Sequence, residues 1–477
     1  MNLNRSNVLS ISSAVAILYL IPLILTRSDF QDDMYRSTSG VPDFWFENGR
    51  PLSVWLYRIL NQGLFSPDIS PLNFIASIFI LLIASIIISK KVSHPDDHIT
   101  QLNVSIIFLS SPFLLAILSY KYDSIPVSLS LLMASVFTLI KFKDIFIRTA
   151  VNIALIIGIL SLYQPALSLI IGLIGINLLG VKSKSDVKPY LKDALYLIFC
   201  LAIGFIAYKL TISDHMLSEN YKRSGSLLPI SLQSIPKLET NILGYFDNLY
   251  SFLSYPYILF TSITISIYAG ISILFKRNHE SLIFILALPV ILVASLGCNI
   301  ILNKPAFQAR EMLGVPCLFI FMVLTLSNLH FKKLSTFLSI LLTCGVLITT
   351  LTISYSFLNY KDEIARRDKQ YVNDINASIL HYGVDNVKRI KITYKKPDLT
   401  NKENAFLAAY PILSRMIYDR GFSSYWYSNA IIKEENNINI PISETHDDFN
   451  DQMFKTCFSK SKLSEGTMSI TFGHYCI

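Results

Sequence analysis

The chain has 477 residues, 52% of them hydrophobic and 16% charged, and its mean hydropathy is +0.47. A soluble globular protein carries about 25% charged residues, so the shortfall excludes an ordinary soluble fold and implies a multi-span helical membrane protein. The formal charge of +8 is spread over short loops, where it sets topology and does not point to nucleic acid.

Long apolar runs predict eleven spans, at 8–26, 72–88, 102–118, 125–140, 149–162, 166–180, 190–212, 251–275, 281–297, 312–329 and 335–357. The first has a thin basic region (Arg5) and no clear small-x-small cleavage site, so it reads as a retained signal-anchor. Alternate loops then separate by charge. Lys90-Lys91, Lys141 with Lys143 and Arg148, Lys182 with Lys184 and Lys188, Lys276-Arg277, and Lys332-Lys333 form compact basic loops. The positive-inside rule makes these cytoplasmic, together with the N-terminus. Loop 27–71, the turns at Tyr120–Asp123 and Tyr163–Pro165, loops 213–250 and 298–311, and the tail from about 358 then face outward. Segments 149–162 and 166–180 can also be read as one bent segment around Gln164-Pro165, but eleven spans keep the charge rule consistent for every later loop.

The first outer loop contains an amphipathic stretch, Leu52 to Leu64, and loop 213–250 has a second from Ile235 to Tyr250 that is aromatic on one side. Helices of this kind lie in the headgroup zone. The tail reads as a small α/β domain, with a strand at Val387–Tyr394, a helix from Glu403 to Arg420 stopped by Gly421, and a closing strand at Met468–Phe472. The expected division is residues 1–357 for the membrane domain, with loop 27–71 catalytic, and 358–477 for the tail.

Loop 27–71 opens on the acid pair Asp32-Asp33 and continues through Tyr35, Arg36, Trp45, Glu47 and Arg50. Taking a proton from a sugar hydroxyl requires a carboxylate beside that oxygen, and carboxylates also stabilise charge developing at an anomeric carbon. Adjacent acids are otherwise explained as a solvated turn. Glu47 is the rival base; its plainer reading is a capping or turn acid. Arg36, Arg50, Lys121 and Arg310 are outer-side cations suited to a departing phosphate, against a plainer role in headgroup binding. Arg310 opens the tenth span, at a depth where a cation needs a partner. Asp123 and Lys121 share a very short turn and either line the bundle mouth or pair with each other. His94-Pro95-Asp96-Asp97-His98 resembles a metal cluster, but Pro95 breaks the helix that would align its histidines, and no metal site is assigned. Cys457 and Cys476, both in the outward tail, are expected to form a disulfide.

An outward first loop with an early acid pair, flat helices and a many-span bundle is similar to the GT-C class of membrane glycosyltransferases. The string Asp32-Asp33-Met34-Tyr35-Arg36, followed by Trp45-Phe46-Glu47-Asn48-Gly49-Arg50-Pro51-Leu52, resembles the serotype-converting O-antigen glucosyltransferases of the glucosyl transferase II type. Tyr120-Lys121-Tyr122-Asp123 and Tyr163-Gln164-Pro165 fit the same layout less specifically. The resemblance implies an α-helical polytopic GT-C-like bundle of about eleven spans in a bacterial inner membrane, with a periplasmic α/β tail. It implies inverting transfer of glucose from undecaprenyl-phosphate glucose to a sugar of the lipid-linked O-antigen, with a donor-synthesising glucosyltransferase and a small flippase as pathway partners. Catalysis falls to Asp32 and Asp33, with Glu47 and Arg50 in support. Substrate contact is expected of Tyr35, Trp45, Asp123, Tyr163 and Gln164. One donor phosphate can be met by arginine, so no cofactor is expected. An O-antigen flippase would carry ionisable groups within its spans, which are nearly absent here, and a polymerase would leave the early acid pair unexplained.

Overall fold

A computed structural model describes residues 4–26, 29, 32–140, 142–180, 184–276, 279–327, 332–393, 399–417, 432, 440–445, 454–456 and 459–472. Each of the eleven apolar segments is helical there. Among the described residues, five helices are long and apolar enough to cross a membrane: Arg5–Leu25, Leu72–Val92, Ile145–Leu162, Asp186–Met216 and Lys332–Tyr382. A sixth follows if His98–Leu109 and Pro112–Leu118, bent by 44°, count as one span. Proline causes the bend, because Pro112 has no N–H and biases Ser111 into extended backbone, φ −79° and ψ 128°. Ser124–Phe137, Leu167–Leu178 and Val315–Ser327 are shorter apolar helices.

The chain divides into two compact units. The first comprises Met1–Leu25, Pro42–Phe65 and Ile69–Ser354. Within it Leu72–Val92 packs on Ser124–Phe137, Leu167–Leu178 on His279–Leu296, and Lys184–Tyr208 on Ile145–Leu162. Interior serines return their hydroxyls to the preceding turn, as Ser128 does to the Ser124 carbonyl at 2.8 Å. Outward faces are apolar, with Phe79, Phe260 and Phe337 exposed, as suits lipid contact.

Helix Pro51–Leu60 begins on its proline, at the position where a missing N–H is harmless. It buries Ser53, Val54 and Tyr57 and exposes Leu52, Trp55 and Ile59. The expected helix ran to Leu64, but Gln62 turns left-handed at φ 53° before Gly63 and stops it. Helix Ile235–Leu253 is arranged likewise, with Asn241, Tyr245 and Asn248 buried and Leu243, Phe246 and Tyr250 exposed.

The second unit comprises Thr26–Val41, Ser66–Asp68 and Tyr355–Ile477. Five strands form one sheet: β1 (Arg389–Thr393), β2 (Ile442–Thr445), β3 (Phe454–Lys455), β4 (Ser459–Ser464) and β5 (Thr467–Phe472), in the order β2-β1-β5-β4-β3. β1 is parallel to β2 and β5, with Ile390 opposite Met468 and Ile392 opposite Ile470. β4 and β5 form a hairpin turned by Glu465 and Gly466, both at positive φ as such tight turns require. Tyr371, Val372, Ile375 and Ile379 of the long helix pack on the sheet, and Met34 packs against the same core. The expected helix 403–420 is shorter than its pattern. Asn401–Ala409 starts on a Thr400/Glu403 capping box and ends before Pro411, and one turn, Leu413–Met416, follows. Residues 418–431 lie outside the described residues, as do Cys457 and Cys476 with their expected disulfide.

Candidate functional site

In the first unit, four sequence-distant segments meet around Arg50. Gly49 stands at φ +70°, and a Cβ there would lie 2.5 Å from the Tyr208 hydroxyl. Glycine therefore serves both the backbone turn and a close approach. The Tyr208 hydroxyl donates to the Gly49 carbonyl at 2.8 Å, just before a π-helical turn, Lys209–Ser213, that interrupts its helix. The chain then delivers Arg50 to three partners. Its Nε donates to Gln164 Oε1 at 3.0 Å, its Nη1 lies 3.4 Å from Asp123 Oδ1, and its guanidinium covers the Tyr163 ring at 4.7 Å. Gln164 returns its amide N–H groups to the Asn48 carbonyl at 3.0 Å and to the Tyr208 hydroxyl at 3.1 Å. Tyr163 and Gln164 are available because extended backbone at Tyr163, φ −157° and ψ 105°, separates helix Ile145–Leu162 from a 3-10 turn at Gln164–Ala166.

Asp123 is buried and also accepts from the Trp45 indole at 3.1 Å. Trp45 in turn stacks on Tyr57, and Tyr57 leans on Tyr122. Lys121 is buried on the same turn, and its carbonyl accepts from the Asn73 amide at 2.7 Å.

A second cation approaches from the 298–311 loop. The Tyr163 hydroxyl donates to the Arg310 carbonyl at 3.0 Å, and the Arg310 guanidinium covers the Tyr120 ring at 4.5 Å. Asn241, Tyr245 and Asn248 fall on one helix face and hold this loop. Asn241 Nδ2 donates to the carbonyls of Ile300 and Leu302, each at 2.8 Å, Asn248 Nδ2 donates to the Phe307 carbonyl at 2.8 Å, and the Tyr245 hydroxyl donates to the Glu311 carboxylate. Phe307 takes left-handed backbone, φ 52°, which is strained for a bulky residue. Its ring fills the space beside Gly244, where a Cβ would sit 2.5 Å away.

Four charges therefore surround Tyr163. Burial raises its phenol well above the ordinary range, while Arg310 and Arg50 pull it down and Glu311 and Asp123 push it up. Burial also raises Tyr245, with the Glu311 charge adding to it. Both phenols stay neutral donors at physiological pH. The arrangement brings Arg50, held by Asp123, Gln164 and the Tyr163 ring, near Arg310, which covers the Tyr120 ring, two guanidiniums of a kind suited to an anionic phosphate.

The acid pair belongs to the second unit. It is not in a loop: Asp32 and Asp33 form the first turn of helix Asp32–Ser39, where the helix dipole favours carboxylates. Asp32 is half-buried and Asp33 fully buried, with the buried Arg36 at 3.9 Å from it. Tyr35 is exposed. Ser37 closes the segment by donating to Asp29 at 2.6 Å. Glu47 is exposed in the first unit, three residues before Arg50. Asp97 caps helix His98–Leu109, accepting from the Thr100 N–H at 3.0 Å, which gives the His94–His98 stretch a structural role.

The family model described as glucosyl transferase GtrII matches residues 23–321. The chain belongs to this family. A protein of Salmonella phage P22, described as an uncharacterized 55.3 kDa protein in the gtrB 5′ region, is 30% identical over 247 residues, which is 51% of this chain and 50% of that relative. The chain thus spans about half the length of the curated relative it matches. No solved structure matches. The GtrII match runs across the acid pair, the Arg50 network and Arg310 alike. Sequence reasoning had singled out Arg50, Trp45, Asp123, Tyr163, Gln164 and Arg310, and these come together in the first unit. It missed Tyr208, Glu311 and the Asn241–Tyr245–Asn248 face of this GtrII chain. The last had a readable signal, polar residues four and three apart within an apolar amphipathic stretch.

Proposed function

We propose that the chain transfers a glucosyl residue from undecaprenyl-phosphate glucose to a sugar of the lipid-linked O-antigen, with inversion, at the periplasmic face of a bacterial inner membrane. Family membership supports glucosyl transfer. The observation that carries the lipid-phosphate donor is the pair of guanidiniums, Arg50 and Arg310, gathered with Asp123 and Glu311 around Tyr163. In the proposed step an acceptor hydroxyl oxygen attacks the anomeric carbon as the bond from that carbon to the phosphate oxygen breaks. The phosphate departs with the electron pair and is met by Arg310 and Arg50, and the hydroxyl proton passes to a carboxylate. Asp123 and Gln164 hold Arg50, and Trp45 holds Asp123. One phosphate matched by two arginines calls for no cofactor.

Asp32 and Asp33 are the proposed proton acceptors, on their sequence context and the partial exposure of Asp32. A second reading gives that role to Glu47, favoured by its exposure on the chain segment that delivers Arg50. The reading includes eleven spans, a cytoplasmic N-terminus and a periplasmic domain from 358, with a donor-making enzyme and a flippase in the same pathway. Its test is the lipopolysaccharide mass and linkage in cells carrying wild type, Asp32→Asn, Asp33→Asn or Glu47→Gln at equal membrane levels. Wild type adds one hexose per repeat. Loss of the base lowers transfer by about 10²–10⁴-fold, and the variant that does so identifies it. Unchanged O-antigen mass on expression of the wild type overturns the function itself.

A further inference from the structure

Arg310 has a carboxylate as its neighbour in the chain. Glu311 follows it in the 3-10 turn Ala309–Glu311, and both charges act on the Tyr163 phenol. A carboxylate within reach of an arginine ordinarily neutralises it. Arg148 shows this in the same unit: it pairs with Asp193 at 2.6 Å, donates to the Ile140 carbonyl at 3.0 Å and covers the Tyr196 ring at 4.4 Å. Glu311 is placed otherwise. Its carboxylate accepts from the hydroxyl of the buried Tyr245, and among the described residues it forms no salt bridge.

The turn that carries both residues is fixed without that hydroxyl. Gly297 stands at φ +90°, and a Cβ there would lie 3.2 Å from the Glu311 carbonyl oxygen. Beyond the turn, a Cβ on Gly314 would lie 2.1 Å from the Ala294 carbonyl oxygen. The backbone on both sides of Arg310 is therefore packed closely against the end of helix His279–Leu296. Before the turn, the Leu228 N–H donates to the Ile301 carbonyl and the Asn303 N–H to the Ser226 carbonyl, each at 2.8 Å. Asn241 and Asn248 hold the same stretch from the helix Ile235–Leu253. The Tyr245 ring itself packs on Phe307, with centroids 5.3 Å apart, a contact that a phenylalanine would keep. What the hydroxyl adds is the direction of the Glu311 side chain.

We propose that Tyr245 is a positioning residue for transfer: its hydroxyl holds the Glu311 carboxylate so that this group does not compete with the departing phosphate for Arg310. The inference rests on the reading of Arg310 as a receiver of lipid phosphate. Released from Tyr245, the carboxylate would either pair with the adjacent guanidinium or face the phosphate as a like charge, and each weakens the hold on the anion.

The test is retention of undecaprenyl phosphate over undecaprenol, its uncharged counterpart, by the full-length protein in detergent, read by native mass spectrometry. Wild type should retain the phosphate preferentially. Tyr245→Phe should lower that preference about tenfold, the size of one hydrogen bond to a charged group. Added to Glu311→Gln, the same change should cost no more than about twofold, because no charge is left to redirect. Glu311→Asp keeps the charge but draws it back from the hydroxyl, so it should lose more of the preference than Glu311→Gln, a comparison that stands even if Tyr245→Phe fails to fold. An equal loss on Tyr245→Phe in both backgrounds, the mark of a merely structural bond, would overturn the assignment. So would an intact preference in Tyr245→Phe, or a larger loss in Glu311→Gln than in Glu311→Asp. Those outcomes leave the wild-type preference, and with it the lipid-phosphate reading, standing. Absence of any preference in the wild type would overturn that reading and this inference together.

Discussion

At the two ends of helix Ile145–Leu162, an arginine covers a tyrosine ring and faces an aspartate, yet the two trios are built differently. At the Arg148 end the ion pair is short, 2.6 Å, and Asp193 is partly exposed. At the Arg50 end the separation is 3.4 Å, Asp123 is buried, and its carboxylate is shared with the Trp45 indole. A second guanidinium, Arg310, acts on the same tyrosine, Tyr163, whose hydroxyl donates to the Arg310 carbonyl. A short exclusive pair neutralises itself. A longer, shared one holds its arginine in place while leaving the guanidinium with capacity for another anion. The same residue types thus make a structural clasp at one end and a cation cradle at the other.

This contrast can be broken most forcefully at Arg310. Arg310→Ala should lower glucosyl transfer by about 10²–10³-fold, the cost of removing one donor aimed at developing charge. Lipopolysaccharide mass analysis at matched expression checks it, and near-normal transfer would reduce the cradle to an ordinary ion-pair network. Arg50→Lys keeps the charge but loses the fork that reaches Gln164 and Asp123 together, and about a tenfold or larger loss in transfer is expected. Equal activity of Arg50→Lys and wild type would show that a point charge suffices. Gly49→Ala meets both a left-handed backbone and the Tyr208 hydroxyl, so a stability loss of about 1–2 kcal/mol is expected. A thermal melt of the purified protein measures it, and Tyr208→Phe in the same chain should restore part of the loss but not all of it, because the clash with the hydroxyl goes while the backbone strain remains. The smallest change belongs to the clasp. Replacing Arg148 and Asp193 together by leucine should shift stability by no more than about 1 kcal/mol, since an apolar pair can substitute for a partly buried ion pair. A large drop would mean that the two ends are more alike than their geometry indicates.

Much of this architecture is written locally in the sequence. Apolar runs marked where the long apolar helices lie, because a helix satisfies its own backbone and needs only side chains that suit its surroundings. β1 and β5 were legible from their alternating apolar residues. β4, Ser-Lys-Ser-Lys-Leu-Ser, was not, because its pairing with β5 rests on backbone hydrogen bonds and two buried serines and not on hydrophobic alternation. The helix from Glu403 was overextended because its apolar pattern continues through Pro411, where the backbone cannot. The meeting of Arg50 with Asp123 and Gln164, 73 and 114 residues away, has no local signature at all. Nor does the grouping of the acid-pair segment with residues 355–477, which arises from long-range contacts such as that of Met34 with the tail core. Pro51–Leu60 and Ile235–Leu253 carry apolar and aromatic residues on both faces: Leu52, Trp55 and Ile59, like Leu243, Phe246 and Tyr250, are exposed, while Ser53 and Tyr57, like Asn241, Tyr245 and Asn248, are buried. Periodicity locates such a face but does not say which side of it is buried.

Gly49 carries a consequence for how this lineage can change. The hydroxyl of Tyr208 occupies the volume that any side chain at position 49 would need, and the two residues are 159 positions apart. Drift at one site is therefore gated by the other. Across descendants the pair should be inherited as a unit, with neither position exploring alternatives until its counterpart has already given way.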